Sequence, residues 1–209
     1  MGKMTGYEKE HELPQKVRQL YTAVLELIAS GVDVNAIKVS DITQKAGIGK
    51  GTAYDYFDTK EDIIICALIY AVSGMIHRIK EEMNQYHTFR EQIQYLFGAV
   101  EKEMVERECF IRFVHMMTDS SLFGKALQQR AASDENKECD AMRLLAEMVE
   151  EGQKRGEVVT QLPLEYIIYS LMSKLLTYLA VCNERGEKES KASYLKPYIL
   201  EGVFAEFCR

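Results

Sequence analysis

The segment GIGKGTAYDYFDTK, residues 47–60, concentrates side chains that can bind phosphate groups or the edges of nucleic-acid bases. Lys50 and Lys60 carry ammonium groups, and Thr52 and two tyrosines between them add hydroxyl groups that can bond phosphate oxygens. Asp55 differs, because phosphates repel a carboxylate. If it contacts a base, the partner should be a cytosine amino group. The segment therefore predicts a phosphate-bearing ligand, and its glycines raise the question of which one.

Two other interpretations of this segment are a nucleotide-binding loop and a purely structural corner. A P-loop has the order G-x-x-x-x-G-K-[ST] and follows a strand. Here Lys50 precedes Gly51 and no strand pattern comes before it, so order and context both disagree with a P-loop. A helical corner whose glycines only permit close packing is the alternative without a ligand.

The flanking sequence places the segment in a helix-turn-helix arrangement. Val39, Ile42 and Ala46 repeat at helical spacing in VSDITQKA, Gly47 interrupts the pattern, and KGTAYDYF resumes it. Two short helices joined by a turn that contains glycine form this motif. An amphipathic helix that begins at Pro14 precedes them and supplies a third helix for packing.

A helical wheel for residues 50–57 separates an inner from an outer face, because successive residues lie about 100° apart. Ala53 and Phe57 share the inner side and are expected to pack against the first helix. The outer face is expected to carry Gly51, Thr52, Asp55 and Tyr56, with Lys50 and Tyr54 at its margins. A small, polar outer face of this kind can enter a DNA major groove without steric obstruction.

The remaining sequence is predicted to be helical, which makes the fold all-α. Apolar residues make up 47% of the chain, and period-two alternation is nearly absent. Capping boxes at Thr59 and Thr88, each followed three residues later by an acid, mark the starts of two long helices. The predicted helices cover residues 60–84, 88–107, 109–117, 121–131, 134–155, 163–183 and 190–208, with approximate boundaries.

The charge distribution excludes a generally basic nucleic-acid-binding protein. The net charge is −6, but residues 1–60 hold equal numbers of basic and acidic side chains. Residues 61–209 therefore carry the whole negative charge. Any contact with DNA must come from a locally positive surface.

Histidines and cysteines show no spacing typical of a metal site, a disulfide framework or a catalytic set. The cysteines are widely spaced and expected to be reduced, and His77, His87 and His115 lack a second ligand at three or four residues. No metal, no cofactor and no enzymatic activity are predicted. The polar amino terminus lacks the apolar stretch of a secretion signal, and no uninterrupted apolar run approaches 18 residues. A soluble cytoplasmic protein without a membrane partner is expected.

The stretch VSDITQKAGIGKGTAYDYFDTKEDII resembles, without a gap, the DNA-binding signature of the TetR family of bacterial transcriptional regulators. The matching positions are Ile42, Ala46, Gly47, Lys50, Gly51, Thr52, Tyr54, Tyr56, Phe57, Lys60 and Glu61. The departures are Lys38 and Gly49, where a hydroxyl cap is usual, Thr43, where alanine is usual, and Ala53, where a larger aliphatic residue is common. Glycine is an acceptable helix cap, so these departures predict only a slightly less rigid headpiece.

The resemblance implies a helix-turn-helix DNA-binding domain, residues 1–58, and a larger helical ligand-binding and dimerisation domain, residues 59–209. It implies a homodimer that binds a palindromic operator in double-stranded DNA and represses transcription until a small-molecule effector releases it. The helix that begins near Thr59 would act as the lever. The candidate DNA-binding residues are Ser40, Gln44, Lys50, Gly51, Thr52, Tyr54, Asp55, Tyr56 and Lys60.

Two residue sets in the larger domain are candidates for the effector pocket and the dimer interface. Soft and aromatic side chains at helical spacing are typical of an ordinary core, but with the resemblance they also suggest a pocket for a largely apolar molecule. The candidate pocket residues are Met75, Tyr95, Phe110, Phe113, His115, Met116, Met117, Tyr169 and Met172. The last two helices are apolar on nearly all sides, which predicts burial against a second copy or, alternatively, inside the protomer. The candidate interface residues are Tyr169, Leu176, Leu179, Tyr194, Tyr198, Val203, Phe204 and Phe207.

Two other functions stay open at the level of sequence. A protein of the same fold could bind DNA and recruit a protein partner without any small-molecule effector, and a larger domain without a cavity would favour this. Alternatively, the larger domain could be an enzyme or ligand carrier with a vestigial headpiece. Failure to bind any genomic DNA fragment at low salt would favour that second case.

Overall fold

The computed structural model describes residue 4 and residues 13–106, 116, 119–133, 141–183 and 188–208. The fold of these residues is helical, which confirms the all-α prediction. The helices are α1 (Gln15–Ala29), α2 (Val39–Ala46), α3 (Lys50–Tyr56), α4 (Lys60–Met83), α5 (Phe89–Glu106), α6 (Leu122–Ala131), α7 (Ala141–Lys154), α8 (Leu164–Asn183) and α9 (Lys188–Phe207). The helix predicted at 109–117 lies outside the described residues apart from Met116, and so does the beginning of the one predicted at 134–155.

The starts of α4 and α5 show the predicted capping chemistry. The Asp62 amide donates to the Thr59 hydroxyl at 3.1 Å, and the Thr59 amide donates to the Asp62 carboxylate at 3.1 Å. At α5 the Glu91 amide donates to the Thr88 hydroxyl at 3.2 Å, and the Thr88 amide donates to the Glu91 carboxylate at 2.9 Å. These reciprocal bonds satisfy amide groups that a helix start leaves without partners. Both helices therefore begin where the local sequence predicts.

The residues form two compact units. The first comprises Met1–Met75 with Arg107–Asp140, and the second comprises Ile76–Glu106 with Ala141–Arg209. α4 contributes its residues through Met75 to the first unit and its remaining residues to the second. The boundary predicted between residues 58 and 59 concerns function rather than compactness, and it stays a prediction.

The core of the first unit is built on one face of α1. Leu20, Val24 and Ile28 are fully buried at the four-residue spacing that places them on one side of the helix. α2 packs against α1, and its Ile42 is fully buried. α4 enters the same core with an unbroken run of buried residues from Ile63 to Ile69. Because each buried aliphatic side chain contributes roughly 1.5–3 kcal/mol, apolar packing holds α1 to α4 together.

The second unit packs α5, α7, α8 and α9 around aromatic residues. Phe97 of α5 and Tyr178 of α8 are fully buried, with their ring centres 5.4 Å apart. The segment after α7 is tied to the end of α9, where the Val159 amide donates to the Phe207 carbonyl at 2.9 Å. This bond fixes the end of the last helix against the rest of the unit.

Among the described residues, two helical stretches are long and apolar enough to cross a membrane by length and composition, Lys60–Met83 and Leu164–Cys182. Core helices of soluble proteins pass the same test, and 67% of the most apolar window of the first stretch is buried inside the fold. In the second stretch, 33% of the corresponding window is buried. Much of the apolar surface of α8 therefore lacks a cover within the described protomer.

Candidate nucleic-acid interface

The turn between α2 and α3 depends on Gly47. Its backbone is left-handed, with φ at 67°, a conformation that costs a residue with a side chain roughly 1–2 kcal/mol. In this conformation the Gly47 amide donates to the Gln44 carbonyl at 3.2 Å, and the Ile48 amide donates to the Thr43 carbonyl at 3.0 Å. These bonds close α2 and set the direction in which the chain continues into α3.

Two departures from the family signature are compensated within α2. The Lys38 amide donates to the Asp41 carboxylate at 3.0 Å, so half of a capping box forms without a hydroxyl at residue 38. Thr43 is buried, but its hydroxyl donates to the Val39 carbonyl at 2.9 Å. Neither substitution therefore leaves a buried polar group of α2 without a partner.

The inner face of α3 is the one that the helical wheel predicts. Ala53 and Phe57 are fully buried. The Phe57 ring centre lies 6.0 Å from that of Tyr21 on α1, with the two rings tilted. Because these residues anchor α3 to α1, they fix the rotation of α3 about its own axis and with it the residues that face outward.

The outward face of α3 is small, polar and open. Lys50, Gly51, Tyr54 and Asp55 are exposed, and Thr52 is half-buried at the edge of this face. A Cβ atom added at Gly51 would meet nothing within 4 Å. Another molecule can therefore approach the backbone of α3 closely at this point, with a cation, hydroxyls and a carboxylate around it.

Tyr56 corrects the predicted outer face. It is half-buried and packs against the core of the first unit, whereas Tyr54, expected at the margin, is 45% exposed. Tyr56 follows Ala53 by three residues and so lies about 60° from it around the helix axis. That angle places Tyr56 beside the inner face, and the tyrosine that points outward is Tyr54.

The other candidate contacts lie on α2 and at the start of α4. Gln44 is exposed on α2, and Ser40 is half-buried there. Lys60 is half-buried, its ammonium group donates to the Asn35 carbonyl at 3.2 Å, and it lies 3.5 Å from the Glu61 carboxylate. Lys60 thus has partners inside the protein with which a DNA phosphate would have to compete.

Met4 belongs to this region although its sequence context did not single it out. Its side chain is buried in the core of the first unit, and its amide donates to the Tyr56 carbonyl at 3.0 Å. That carbonyl lies in the last turn of α3, where the helix itself supplies no donor. One methionine in a polar stretch is too weak a signal to have predicted this contact.

The candidate effector residues are distributed over both compact units. Met75 is buried in the first unit, and Met116 is half-buried against the core of that unit. Tyr95 and Met172 are half-buried in the second unit, where Tyr169 is exposed. Phe110, Phe113, His115 and Met117 lie outside the described residues. The effector pocket therefore stays a prediction.

Tyr95 makes contacts within the second unit that do not require a ligand. Its hydroxyl donates to the Glu82 carboxylate at 2.9 Å, and its ring stacks on Tyr86 with the ring centres 4.8 Å apart. Burial raises the pKa of Tyr95, and the hydrogen bond to Glu82 raises it further. The hydroxyl therefore stays protonated and is committed to Glu82.

Half of the candidate interface residues belong to the core of the protomer itself. Leu179, Val203, Phe204 and Phe207 are buried within the second unit. A side chain already covered inside the protomer adds no surface to an interface, so these four residues are removed from the predicted set. The prediction was wrong for them because a helix that is apolar on all sides does not indicate which side faces inward.

A row of large exposed side chains remains on α8 and α9, and we call it the tyrosine stripe: Tyr166, Tyr169, Leu176, Tyr194 and Tyr198. These residues are 37–67% exposed. The two helices are antiparallel neighbours, since Lys174 pairs with Glu206 at 2.5 Å while the Lys196 ammonium lies 5.7 Å from the Tyr178 ring. Small exposed residues lie on the same two helices beside the large ones: Ser173, Thr177, Ala180, Gly202 and Ala205. Tyr166 is the member of the stripe that the sequence analysis missed.

The described residues offer no candidate metal centre. No group of three or more His, Cys, Asp and Glu side chains in them could hold an ion. His77 is exposed and lies 3.2 Å from Glu81 one turn further along α4, and His87 is exposed as well. His115 lies outside the described residues, so the absence of a metal stays a prediction for the whole chain.

Comparison with known proteins finds a family model that matches part of the chain. Residues 25–65 match the model of the bacterial regulatory proteins of the tetR family. This segment therefore has the sequence pattern of the TetR family. The matched span contains α2, Gly47 and α3, so the likeness falls on the helix-turn-helix, the element predicted to bind DNA.

Individual relatives extend the likeness beyond this span. The "Fatty acid metabolism regulator protein" of Bacillus subtilis is 33% identical over 78 residues, which is 37% of this chain and 40% of that relative. The chain thus matches less than half the length of this curated protein. The structure of FadR from Bacillus subtilis in complex with stearoyl-CoA superposes with a TM-score of 0.73 at 21% identity, covering 90% of this chain and 97% of that one. The fatty acid degradation regulator FadR from Bacillus halodurans gives a TM-score of 0.73 at 19% identity, covering 92% and 96%. At these identities the superpositions show a common fold.

Proposed function

We propose that this chain is a TetR-family regulator, a cytoplasmic repressor that binds a palindromic operator as a homodimer and leaves it when a small-molecule effector binds. The outward face of α3 is the observation that carries the proposal. The DNA-binding set consists of Ser40, Gln44, Lys50, Gly51, Thr52, Tyr54, Asp55 and Lys60, with Tyr56 in support of α3 rather than in the groove. The relatives reported above are transcriptional regulators, so no enzymatic reaction is assigned.

In the proposed complex α3 lies in the major groove with Gly51 closest to the bases. The absence of a side chain there lets the helix backbone approach the base edges. Lys50 and Tyr54 lie one turn apart on one side of Gly51 and would contact phosphate oxygens, which fix the register of the protein on the duplex. Asp55 would accept a hydrogen bond from a cytosine amino group and so contribute sequence preference.

The proposed dimer forms when the tyrosine stripes of two protomers meet around a two-fold axis. An isologous interface of this kind needs one self-complementary surface. The small exposed residues beside the tyrosines leave room for the tyrosine rings of a second copy. Tyrosine suits such a surface, because the ring is buried while the hydroxyl can stay hydrated at the rim. The two-fold axis relates the two copies of α3 and predicts a palindrome whose half-sites lie about one helical turn, or slightly more, apart.

The decisive experiment for DNA binding is selection of bound fragments from genomic DNA with purified full-length protein, followed by footprinting. We expect a short inverted repeat that is protected on two neighbouring turns, and a sedimentation coefficient of a dimer in the absence of DNA. No bound fragment even at low salt would contradict the proposal. A footprint on a single half-site would contradict the dimeric part of it.

The proposed effector is a molecule with a long apolar chain, such as a long-chain acyl-CoA. Two findings support this proposal: the name of the curated Bacillus subtilis relative, a fatty acid metabolism regulator, and the stearoyl-CoA in the structure of Bacillus subtilis FadR. α4 is a single helix with residues in both units, so it is the element through which a bound molecule would act on the headpiece. The molecule shifts binding only by as much as it prefers the off-DNA state.

Titration of stearoyl-CoA into the protein–DNA complex at constant salt tests the effector proposal. We expect stearoyl-CoA to release the DNA, and free CoA and acetyl-CoA to leave the complex intact. By linkage, the operator should lower the affinity of the protein for stearoyl-CoA by the same factor. Release by none of the three molecules would exclude this effector class without affecting the DNA-binding proposal.

A further inference from the structure

α6 belongs to the core of the first unit although it lies far from the helix-turn-helix in sequence. Leu127 is fully buried in the core to which α1–α4 contribute, and Phe123 and Ala126 pack against the same core. Arg130 follows Leu127 by three residues, so it lies on the same side of α6. The apolar contacts of α6 therefore bring the Arg130 guanidinium group to the start of α4.

The Arg130 guanidinium group binds the carboxylate that caps α4. Arg130 Nη2 donates to Asp62 Oδ1 at 2.9 Å. The other oxygen, Asp62 Oδ2, accepts from the Thr59 amide at 3.1 Å and from the Thr59 hydroxyl at 2.6 Å. The Arg130 and Asp62 side chains are 27% and 22% exposed, so solvent screens this pair less than a pair on the open surface. One carboxylate thus joins α6 to the helix cap.

The position of this cap matters because it adjoins the candidate DNA contacts. Lys60 lies between Thr59 and Asp62, and α3 ends at Tyr56, only a few residues before the cap. Only Phe57 and Asp58 separate the end of α3 from Thr59. A shift of the cap would move Lys60 and the end of α3 together.

We propose that Arg130 is a positioning residue for DNA binding, which acts through Asp62 to hold the start of α4 and the end of α3 in the DNA-binding arrangement. The proposal rests on the proposed function, because it takes α3 as the DNA-contacting helix. It gives α6 a defined role. A displacement of α6 that separates Arg130 from Asp62 lowers operator affinity, although Arg130 itself does not contact DNA.

A double-mutant cycle on the full-length protein tests this role, with Arg130→Gln, Asp62→Asn and the combined variant. The probe is a fragment that the wild-type protein has selected, and the measurement is fluorescence anisotropy at fixed salt. We expect Arg130→Gln to weaken binding about fivefold, and to have no additional effect once Asp62 is replaced. Arg130→Lys should recover part of the loss. Lys125→Gln is the matched control, since it removes the same charge from an exposed position of the same helix and should leave affinity unchanged.

Two further measurements separate positioning from direct contact and from general destabilisation. Arg130→Gln should leave the slope of log affinity against log salt unchanged, because only a residue that neutralises a phosphate changes this slope. Hydrogen exchange should show faster exchange of the amides at the start of α4, with the core amides of α1 unaffected. If Arg130→Gln does not fold, Arg130→Lys and Asp62→Asn carry the test.

Three results would overturn the proposal. The first is unchanged operator affinity in folded Arg130→Gln, and the second is an equal loss of affinity from Arg130→Gln in the wild-type and Asp62→Asn backgrounds. The third is a salt slope that Arg130→Gln lowers by the value of about one phosphate contact. Each of these leaves the proposed function intact, because the wild-type protein still binds the selected fragment. Failure of the wild-type protein to select any fragment would instead contradict the proposed function itself.

Discussion

The protomer presents two exposed surfaces that differ in almost every physical property. The outward face of α3 is small and polar, with Gly51 at its centre and Lys50 and Asp55 at the surface. The tyrosine stripe on α8 and α9 is large and largely apolar, and the charged pair nearest to it, Lys174 and Glu206, is internally neutralised. DNA, a hydrated polyanion, is the expected partner of the first surface. The tyrosine stripe of a second protomer is the expected partner of the second.

The contrast predicts opposite responses to salt. Binding of DNA through α3 releases counterions and should weaken steeply as salt rises. Association through the tyrosine stripe depends on apolar burial, which salt does not weaken in this way. Measurements of DNA affinity and of dimer dissociation over the same range of salt concentrations should therefore separate the two surfaces.

The largest expected effect comes from a charge placed in the tyrosine stripe. Tyr169→Asp would bury a carboxylate between two apolar surfaces, so we expect monomers in sedimentation at concentrations where the wild type is dimeric. Operator affinity should fall about a hundredfold, because a single headpiece holds only one half-site. Gln161→Asp adds the same charge at an exposed position outside the stripe and should leave the dimer intact. A dimeric Tyr169→Asp protein would place the interface elsewhere.

A smaller effect, on selectivity rather than on assembly, is expected at Asp55. Asp55→Ala should relax the preference at one base pair of each half-site by about 1–3 kcal/mol, since the acceptor for a cytosine amino group is lost. Selection from random DNA with the variant and the wild type measures this preference at every position. Lys50→Gln is the comparison, because loss of a phosphate contact weakens all sequences alike. An unchanged sequence preference would remove Asp55 from the residues that read bases.

These two surfaces also differ in how far the sequence could predict them. The α3 face follows from local rules: Gly47 ends α2, and the burial of Ala53 and Phe57 fixes which residues point outward. The prediction of this face was wrong at Tyr56, which lies only about 60° from the buried Ala53 around the helix axis. In α8 and α9 the sequence is apolar on every side, so the stripe could not be separated from core residues such as Phe207 before packing was known. The contact between Arg130 and Asp62 joins residues far apart in the chain and has no local sequence signal.

The glycines of the α3 region allow stability and DNA binding to be changed independently. Gly51→Ala adds a methyl group in open space within a helix, so we expect the free energy of unfolding to rise by about 0.5–1 kcal/mol. The same methyl group lies where α3 should approach the bases, so operator affinity should fall. Gly47→Ala should instead lower stability by about 1–2 kcal/mol, because the left-handed conformation strains any residue with a side chain. Urea unfolding and anisotropy on the same samples measure both quantities, and a Gly51→Ala protein that binds DNA as well as the wild type would exclude close approach at this residue.

The smallest expected effect distinguishes the two lysines of the segment 47–60, Lys50 and Lys60. Lys50 is exposed, whereas the Lys60 ammonium already donates to the Asn35 carbonyl and lies 3.5 Å from the Glu61 carboxylate. Lys50→Gln should therefore lower the slope of log affinity against log salt by about 0.9, the value for one phosphate contact. Lys60→Gln should lower it by less, because the Glu61 carboxylate already neutralises part of the ammonium charge. Glu61→Gln removes the competing carboxylate, so in that background Lys60→Gln should lower the slope by more than it does in the wild type. Equal slopes for the two single variants would mean that Lys60 leaves Asn35 and Glu61 at little cost, and that the start of α4 rearranges when DNA binds.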